Sequence, residues 1–258
     1  MLRFRSLGSG SAGNATIVEA GDGRRPTRLL VDCGLGSRHL DLRLARCGLA
    51  AGDIDAIFIT HEHGDHIGCA HALSLRQRLP VWMSQGTYAA IGSPDFDGLL
   101  RLAIDSAPID LGGLLVVPFT VPHDAREPLQ LRCSDGAAVL GILTDLGHAT
   151  AHVLEHLTKC SAILLECNHE ESLLASGSYP PFLKQRVGGK YGHLSNGAAA
   201  QIATALRHPG LRTVVAAHLS RQNNRPELAR TALSRAVGCA FEEIVVADQA
   251  QGTDWIQA

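Results

Sequence analysis

The chain has 258 residues, 45% of them hydrophobic and 19% charged, with a formal net charge of −2. A chain of this length hides about 70–75% of its unfolded surface, enough for a substantial core in one large domain or two small ones. The near-neutral charge says nothing in favour of bulk electrostatic affinity for nucleic acid, so any anion binding must be local.

Short strands alternate with helices along the chain. Residues 2–7, 14–20 and 27–32 read as opening strands, the first two separated by the turn Gly8-Ser9-Gly10-Ser11-Ala12-Gly13-Asn14. Residues 37–47 carry a helical pattern that stops at Gly48, and 54–60 form an apolar, β-branched run of strand type. A helix is expected over 66–79, ended by Pro80. Strands follow at 114–121, 129–133 and 137–143, then helices at 149–158, 179–187 and 195–207 with strands at 161–167 and 211–217. A helix near 226–237 and a strand near 243–247 close the chain. No low-complexity segment or Pro/Ser-rich linker interrupts it, so one domain over 1–258 is expected. Two β-rich halves that each carry helices predict a sandwich of two sheets with helices outside.

The N-terminus lacks a long apolar segment and no run of 18 apolar residues occurs, so neither a signal peptide nor a membrane-spanning helix is expected. Seven cysteines, irregularly spaced and without a C-x-x-C, argue against a disulfide framework. A reducing, cytoplasmic setting is the expectation, with Cys69 and Cys167 read as packing residues although they lie near the site described next.

His61-Glu62-His63-Gly64-Asp65-His66 follows the 54–60 strand directly. Extended chain puts His61 and His63 on one side, and the turn into the next helix lets Asp65 and His66 face elsewhere. Imidazole nitrogen with carboxylate oxygen suits a divalent transition ion such as zinc or manganese. A solvated His-rich loop would look similar, and tracts of that kind bind metal without catalysis. Three further donors, His123, Asp145 and His218, each stand at the end of an apolar strand, where a site at a sheet edge draws its side chains. His61, His63 and His123 could hold one ion, and Asp65, His66 and His218 a second. Asp145 could bridge both. Two divalent ions, two carboxylates and one hydroxide leave about +1, which favours an anionic substrate such as a phosphodiester without excluding a neutral ester.

These residues resemble the metallo-β-lactamase fold hydrolases over nearly the whole chain. That resemblance implies an αββα sandwich of α/β (α+β) class, four layers deep, with the metals at one edge of the two sheets. A narrower resemblance rests on Gly8–Asn14, Glu166-Cys167-Asn168-His169, Gly192-His193-Leu194-Ser195-Asn196 and His218-Leu219-Ser220-Arg221-Gln222-Asn223-Asn224. These segments are similar to the YycJ (WalJ)-type subgroup, which implies nuclease or phosphodiesterase activity, DNA exonuclease activity included. Glu166 and His193 are also similar to the acidic and His residues of ribonuclease Z-like enzymes. In that reading Glu166 orients His193, which serves the leaving oxygen, and Asp65 either ligates only or also takes the proton of the attacking water.

Other residues carry two readings. Ser195 could be only a helix cap. Loop 8–14 could contact phosphate or be a plain turn. Lys184, Arg186, Lys190, Arg221 and Arg225 could form a phosphate rim or be solvated charge. His169 is expected to be no ligand, and His39, His71, His148, His152, His156 and His208 to have no catalytic duty. The expected function is thus a dinuclear hydrolase acting on nucleic acid, DNA above all, with a homodimer or partner extending a short track. The alternatives are a thioester or lactone hydrolase, for which residues 219–258 leave little room for an added substrate domain, and a non-catalytic metal-binding protein.

Overall fold

A computed structural model describes residues 1–21 and 25–258. The first sheet runs in the order β14 (Ile256–Gln257), β1 (Leu2–Gly8), β2 (Ala15–Ala20), β3 (Thr27–Val31), β4 (Ala56–Phe58), β5 (Val81–Met83) and β6 (Leu100–Leu102). The second runs β13 (Val245–Val246), β12 (Thr213–Ala217), β11 (Ala162–Glu166), β10 (Val139–Leu143), β9 (Leu129–Ser134), β8 (Leu115–Thr120) and β7 (Ile109–Asp110). Both are mixed. Antiparallel pairing of β1 to β3 gives way to parallel pairing from β3 to β6. In the second sheet β10, β11, β12 and β13 are mutually parallel.

Strand periodicity explains the layering. Ala56 and Phe58 of β4 point into a core shared with Leu140 and Ile142 of β10, Leu164 of β11 and Val215 of β12, and this core fills the space between the sheets. The alternate residues face outward. Ile57 packs with Leu40 and Leu44 of α1 (Ser37–Arg46) and with Leu73 of a later helix, α3 (Ala70–Gln77). Ile163, Leu165 and Val214 pack under helices α5 (Ala151–Leu157), α8 (Asn196–Leu206) and α9 (Pro226–Val237). Strands buried on both faces therefore read as continuous apolar runs, and the four layers are helix, sheet, sheet, helix.

Several elements differ from the sequence expectation. The helix expected over 66–79 is two helices, α2 (Gly64–Ile67) and α3 (Ala70–Gln77). The break is at Gly68, whose φ is +28° and where a Cβ would lie 2.2 Å from the Cys33 carbonyl oxygen. The backbone thus comes closer to its neighbour than any side chain allows. Residues 81–110 hold β5, β6, β7 and a helix α4 (Gln85–Ala90), none of which shows in the pattern. Likewise α6 (Glu171–Ser176) precedes α7 (Pro181–Val187), where one helix over 179–187 is expected. Among the described residues no helix is long and apolar enough to cross a membrane.

Candidate metal centre

Parallel strands put their C-terminal ends at one edge, and that edge collects the chemistry. His61 to His66 follow β4, His123 follows β8, Asp145 follows β10, Glu166 ends β11, and His218 follows β12. The seven donors expected from the sequence converge there in two overlapping groups. Around the first, His63 Nδ1 lies 3.0 Å from His61 Nε2 and 3.3 Å from His123 Nε2. Around the second, Asp65 Oδ2 lies 3.6 Å from His218 Nε2 and 3.8 Å from His66 Nε2. Asp145 adjoins both: it falls within one donor cluster with His61 of the first and His66 of the second, and its Oδ2 lies 3.0 Å from His66 Nε2.

The remaining ring nitrogens explain which atoms face inward. His123 Nδ1 lies 3.0 Å from the Gly192 carbonyl, His66 Nδ1 lies 2.7 Å from Asp32 Oδ2, and His218 Nδ1 lies 3.2 Å from Glu166 Oε1. Each of these partners only accepts, so each Nδ1 carries a proton and Nε2 is the atom turned into the site. His61 Nδ1 meets Thr60 Oγ1 at 3.0 Å, and that hydroxyl in turn donates to Asp32. In the first group the inward ring nitrogens of His61, His63 and His123 therefore face one another at hydrogen-bonding distance. The buried atoms Asp145 Oδ2 and His218 Nε2 have no hydrogen-bond partner among the described residues, although His66 Nε2 lies 3.0 Å from Asp145 Oδ2. Unpartnered buried acceptors are costly. A divalent ion would satisfy them, and nitrogen with carboxylate oxygen is the donor set for zinc or manganese.

Residues 27–219 match the model of a family described as the β-lactamase superfamily domain. The chain belongs to the β-lactamase superfamily. It is 31% identical over 252 positions to the exodeoxyribonuclease YycJ of Bacillus anthracis, covering 93% of this chain and 94% of that protein. It is also 31% identical over 267 positions to the exodeoxyribonuclease WalJ of Streptococcus pneumoniae, covering 98% and 92%. A crystal structure of the metallo-β-lactamase fold protein YhfI from Bacillus subtilis superposes with a TM-score of 0.77 at 18% identity, over 100% of this chain and 99% of that one. That likeness establishes the fold, an αββα sandwich of metallo-β-lactamase type.

This superfamily member also carries supports that the motif reading missed. Asp32 is buried at the end of β3 and accepts from His66, from the Thr60 N–H (2.9 Å) and from the Thr60 hydroxyl. It holds the ring of one donor and, through Thr60, that of another. Its position was visible, because it ends an apolar strand as His123, Asp145 and His218 do. Asn14, the last residue of the Gly/Ser turn, accepts from the Gly10 N–H through its side chain, and its backbone N–H donates to the Asp65 carbonyl at 2.8 Å. Ser9 Oγ accepts the His218 N–H at 2.8 Å. The 8–14 loop therefore positions two donors from behind. Asp32 (φ 63°) and His218 (φ 54°) are both left-handed, a strain of about 1–3 kcal/mol each at the two strand ends where side chains must turn into the site.

Charge follows the same geometry. Burial would raise the Asp145 carboxyl, but the neighbouring His218 and His66 outweigh it and hold it well below the usual range. Burial would lower His66 and His218, yet facing carboxylates, Asp145 first, raise both to about 10. His61, with burial dominant, is pushed well below the ordinary value. Metal binding would displace the protons that Asp145 holds on its neighbours.

Glu166 is fully buried. Its Oε1 lies 2.7 Å from His193 Nδ1, and Oε2 accepts the Leu146 and Leu194 N–H groups at 3.0 and 3.2 Å. His193 Nδ1 is also 3.2 Å from Asp145 Oδ1. Ser195 caps α8 by accepting the Ala198 N–H, so the cap reading and a fixed His193 hold together. His169 is buried, joins none of the donor groups and lines a neighbouring pocket together with His193. A cleft of about 340 Å³ opens over the donors, with Ser11, Asp124, Tyr179, Arg186 and His193 in its wall. Of the five basic residues considered for a rim, Arg186 alone lines this cleft, and it pairs with Asp124 at 2.5 Å. Arg221 and Arg225 line a separate groove.

Proposed function

We propose that this chain is a dinuclear metal-dependent hydrolase that cleaves phosphodiester bonds at the end of a DNA strand. The observation that carries the proposal is the overlap of two His/Asp donor groups at Asp145, with the Glu166–His193 pair beside them in the cleft wall. Two relatives similar along almost the whole chain are named exodeoxyribonucleases, which supports DNA and action at an end. The cleft is at the small end of the range for small-ligand sites, which suits a terminal nucleotide more than a duplex track. A longer track would need a second copy or a partner.

His61, His63 and His123 would hold one ion, Asp65, His66 and His218 the other, and Asp145 would touch both. When bound, the ions supply a Lewis-acid centre and lower the pKa of water to about 7. Asp65 stands at the cleft and accepts the proton of the attacking water. Glu166 fixes His193 with Nδ1 protonated and stabilises its charged form. Nε2 then holds the proton that the leaving oxygen receives. Arg186 steers the phosphate backbone. The chain works as one domain over 1–258, and its seven free cysteines support a reducing, cytoplasmic setting.

The test is digestion of end-labelled single- and double-stranded DNA and RNA, with lactone and thioester controls, alongside metal analysis. Asp145→Ala should lose the metal of this centre and activity together. His193→Ala should keep metal and lose about 10²–10⁴-fold in turnover. Full turnover in His193→Ala would remove its role, and hydrolysis of the lactone or thioester alone would remove the nuclease assignment.

A further inference from the structure

A second set of metal-type donors meets in a group that shares no residue with the centre. Asp105 lies on the segment that leaves β6 in the first sheet and enters β7 in the second. His152 and His156 lie one turn apart on α5, a spacing that puts both on one helix face. His152 Nε2 is 2.9 Å from Asp105 Oδ1, and the two imidazoles meet edge to face with centroids 4.6 Å apart. One donor atom from each of the three residues lies within 4.8 Å of the others.

The arrangement is held in place before any ligand arrives. Asp105 Oδ1 accepts the Thr120 N–H at 2.7 Å. The ring of His156 stacks on Phe119, 5.0 Å between centroids and 9° from parallel. Arg132 Nη1 donates to the His156 and Thr158 carbonyls at the end of α5. Ser106 takes a left-handed φ of 61° and brings its Oγ to 3.1 Å from His156 Nε2. Asp105 and His152 side chains are each 37% exposed, so a further coordination position opens to water.

We propose that Asp105, His152 and His156 form a separate zinc-type site that clips the segment between the two sheets to α5. An ordinary ion pair accounts for Asp105 with His152, whereas His156 reaches the same carboxylate only through the Ser106 hydroxyl, whose Oγ lies 3.3 Å from Asp105 Oδ2. Two imidazoles and one carboxylate are the donors of a borderline transition ion and not of magnesium or calcium. The site has no part in hydrolysis, and its role is structural.

The experiment is equilibrium dialysis of the chelator-stripped protein against zinc, with bound zinc counted per chain. The His152→Ala/His156→Ala protein should bind one equivalent fewer than wild type and cleave DNA at the wild-type rate. Asp105→Asn keeps an acceptor for the Thr120 N–H, so it should fold as wild type while losing the same equivalent. Asp145→Ala should retain one equivalent, lost when the His152/His156 changes are added. Equal zinc in wild type and either clip variant would overturn the site. So would an equivalent that persists in the combined variant, which would mark adventitious uptake only.

Discussion

Asp32 is the residue whose environment says most about how the centre is held. It meets His66 directly and His61 through Thr60, so one buried carboxylate sets the tautomers of donors on both sides of Asp145. Asp32→Asn replaces an acceptor with a group that presents N–H to one of these partners. It should weaken metal affinity or turnover by about 10–100-fold, measured by competition with a chromogenic chelator and by the rate with metal in excess. Unchanged affinity and rate would show that His66 and His61 need no such orientation. Much of the site was legible at this scale. His61-x-His63-x-Asp65-His66 declares itself by spacing, and His123, Asp145 and His218 by standing where apolar strands end. Asp32 obeys the same rule. The Asp105 site was not legible, because His152 and His156 look like any polar helix face until the loop that carries Asp105 is seen to pack on it.

Between strand and helix, the element that decides the geometry is the short α2. Its start carries Asp65 and His66, and its end is Gly68, pressed against the Cys33 carbonyl. Gly34 sits beneath it, where a Cβ would fall 1.6 Å from the Asp65 carbonyl oxygen. Gly68→Ala should therefore destabilise the fold by about 1–3 kcal/mol and displace His66, seen as a lower midpoint in urea together with weaker metal binding. A stability equal to wild type would mean the chain relaxes there without cost. The break at Gly68 was hidden in sequence because Ala70–Gln77 continues the helical pattern expected over 66–79. The elements between residues 81 and 110 were hidden for a different reason. Strands of two or three residues, such as β6 and β7, are too short to show alternation. The apolar runs that hold β4, β10 and β12 and deliver donors were readable because those strands are buried on both faces.

Across the whole molecule, the donors come from both sheets. His61, His63, Asp65 and His66 belong to the first, and His123, Asp145 and His218 to the second. Ions held there would cross-link the halves beside the core that already joins them, and a ligand that binds only the folded state stabilises it. Stripping metal should lower Tm, and restoring it should recover Tm in the His152→Ala/His156→Ala protein, where the surface clip cannot contribute. A Tm indifferent to metal in that variant would mean the centre does not join the halves. Anomalous scattering from crystals of the zinc-loaded protein tests the central claim most directly. Two strong peaks about 3.5–4 Å apart are predicted, one among His61, His63 and His123, the other among Asp65, His66 and His218, with Asp145 reaching both. A single peak there, or none, would contradict it.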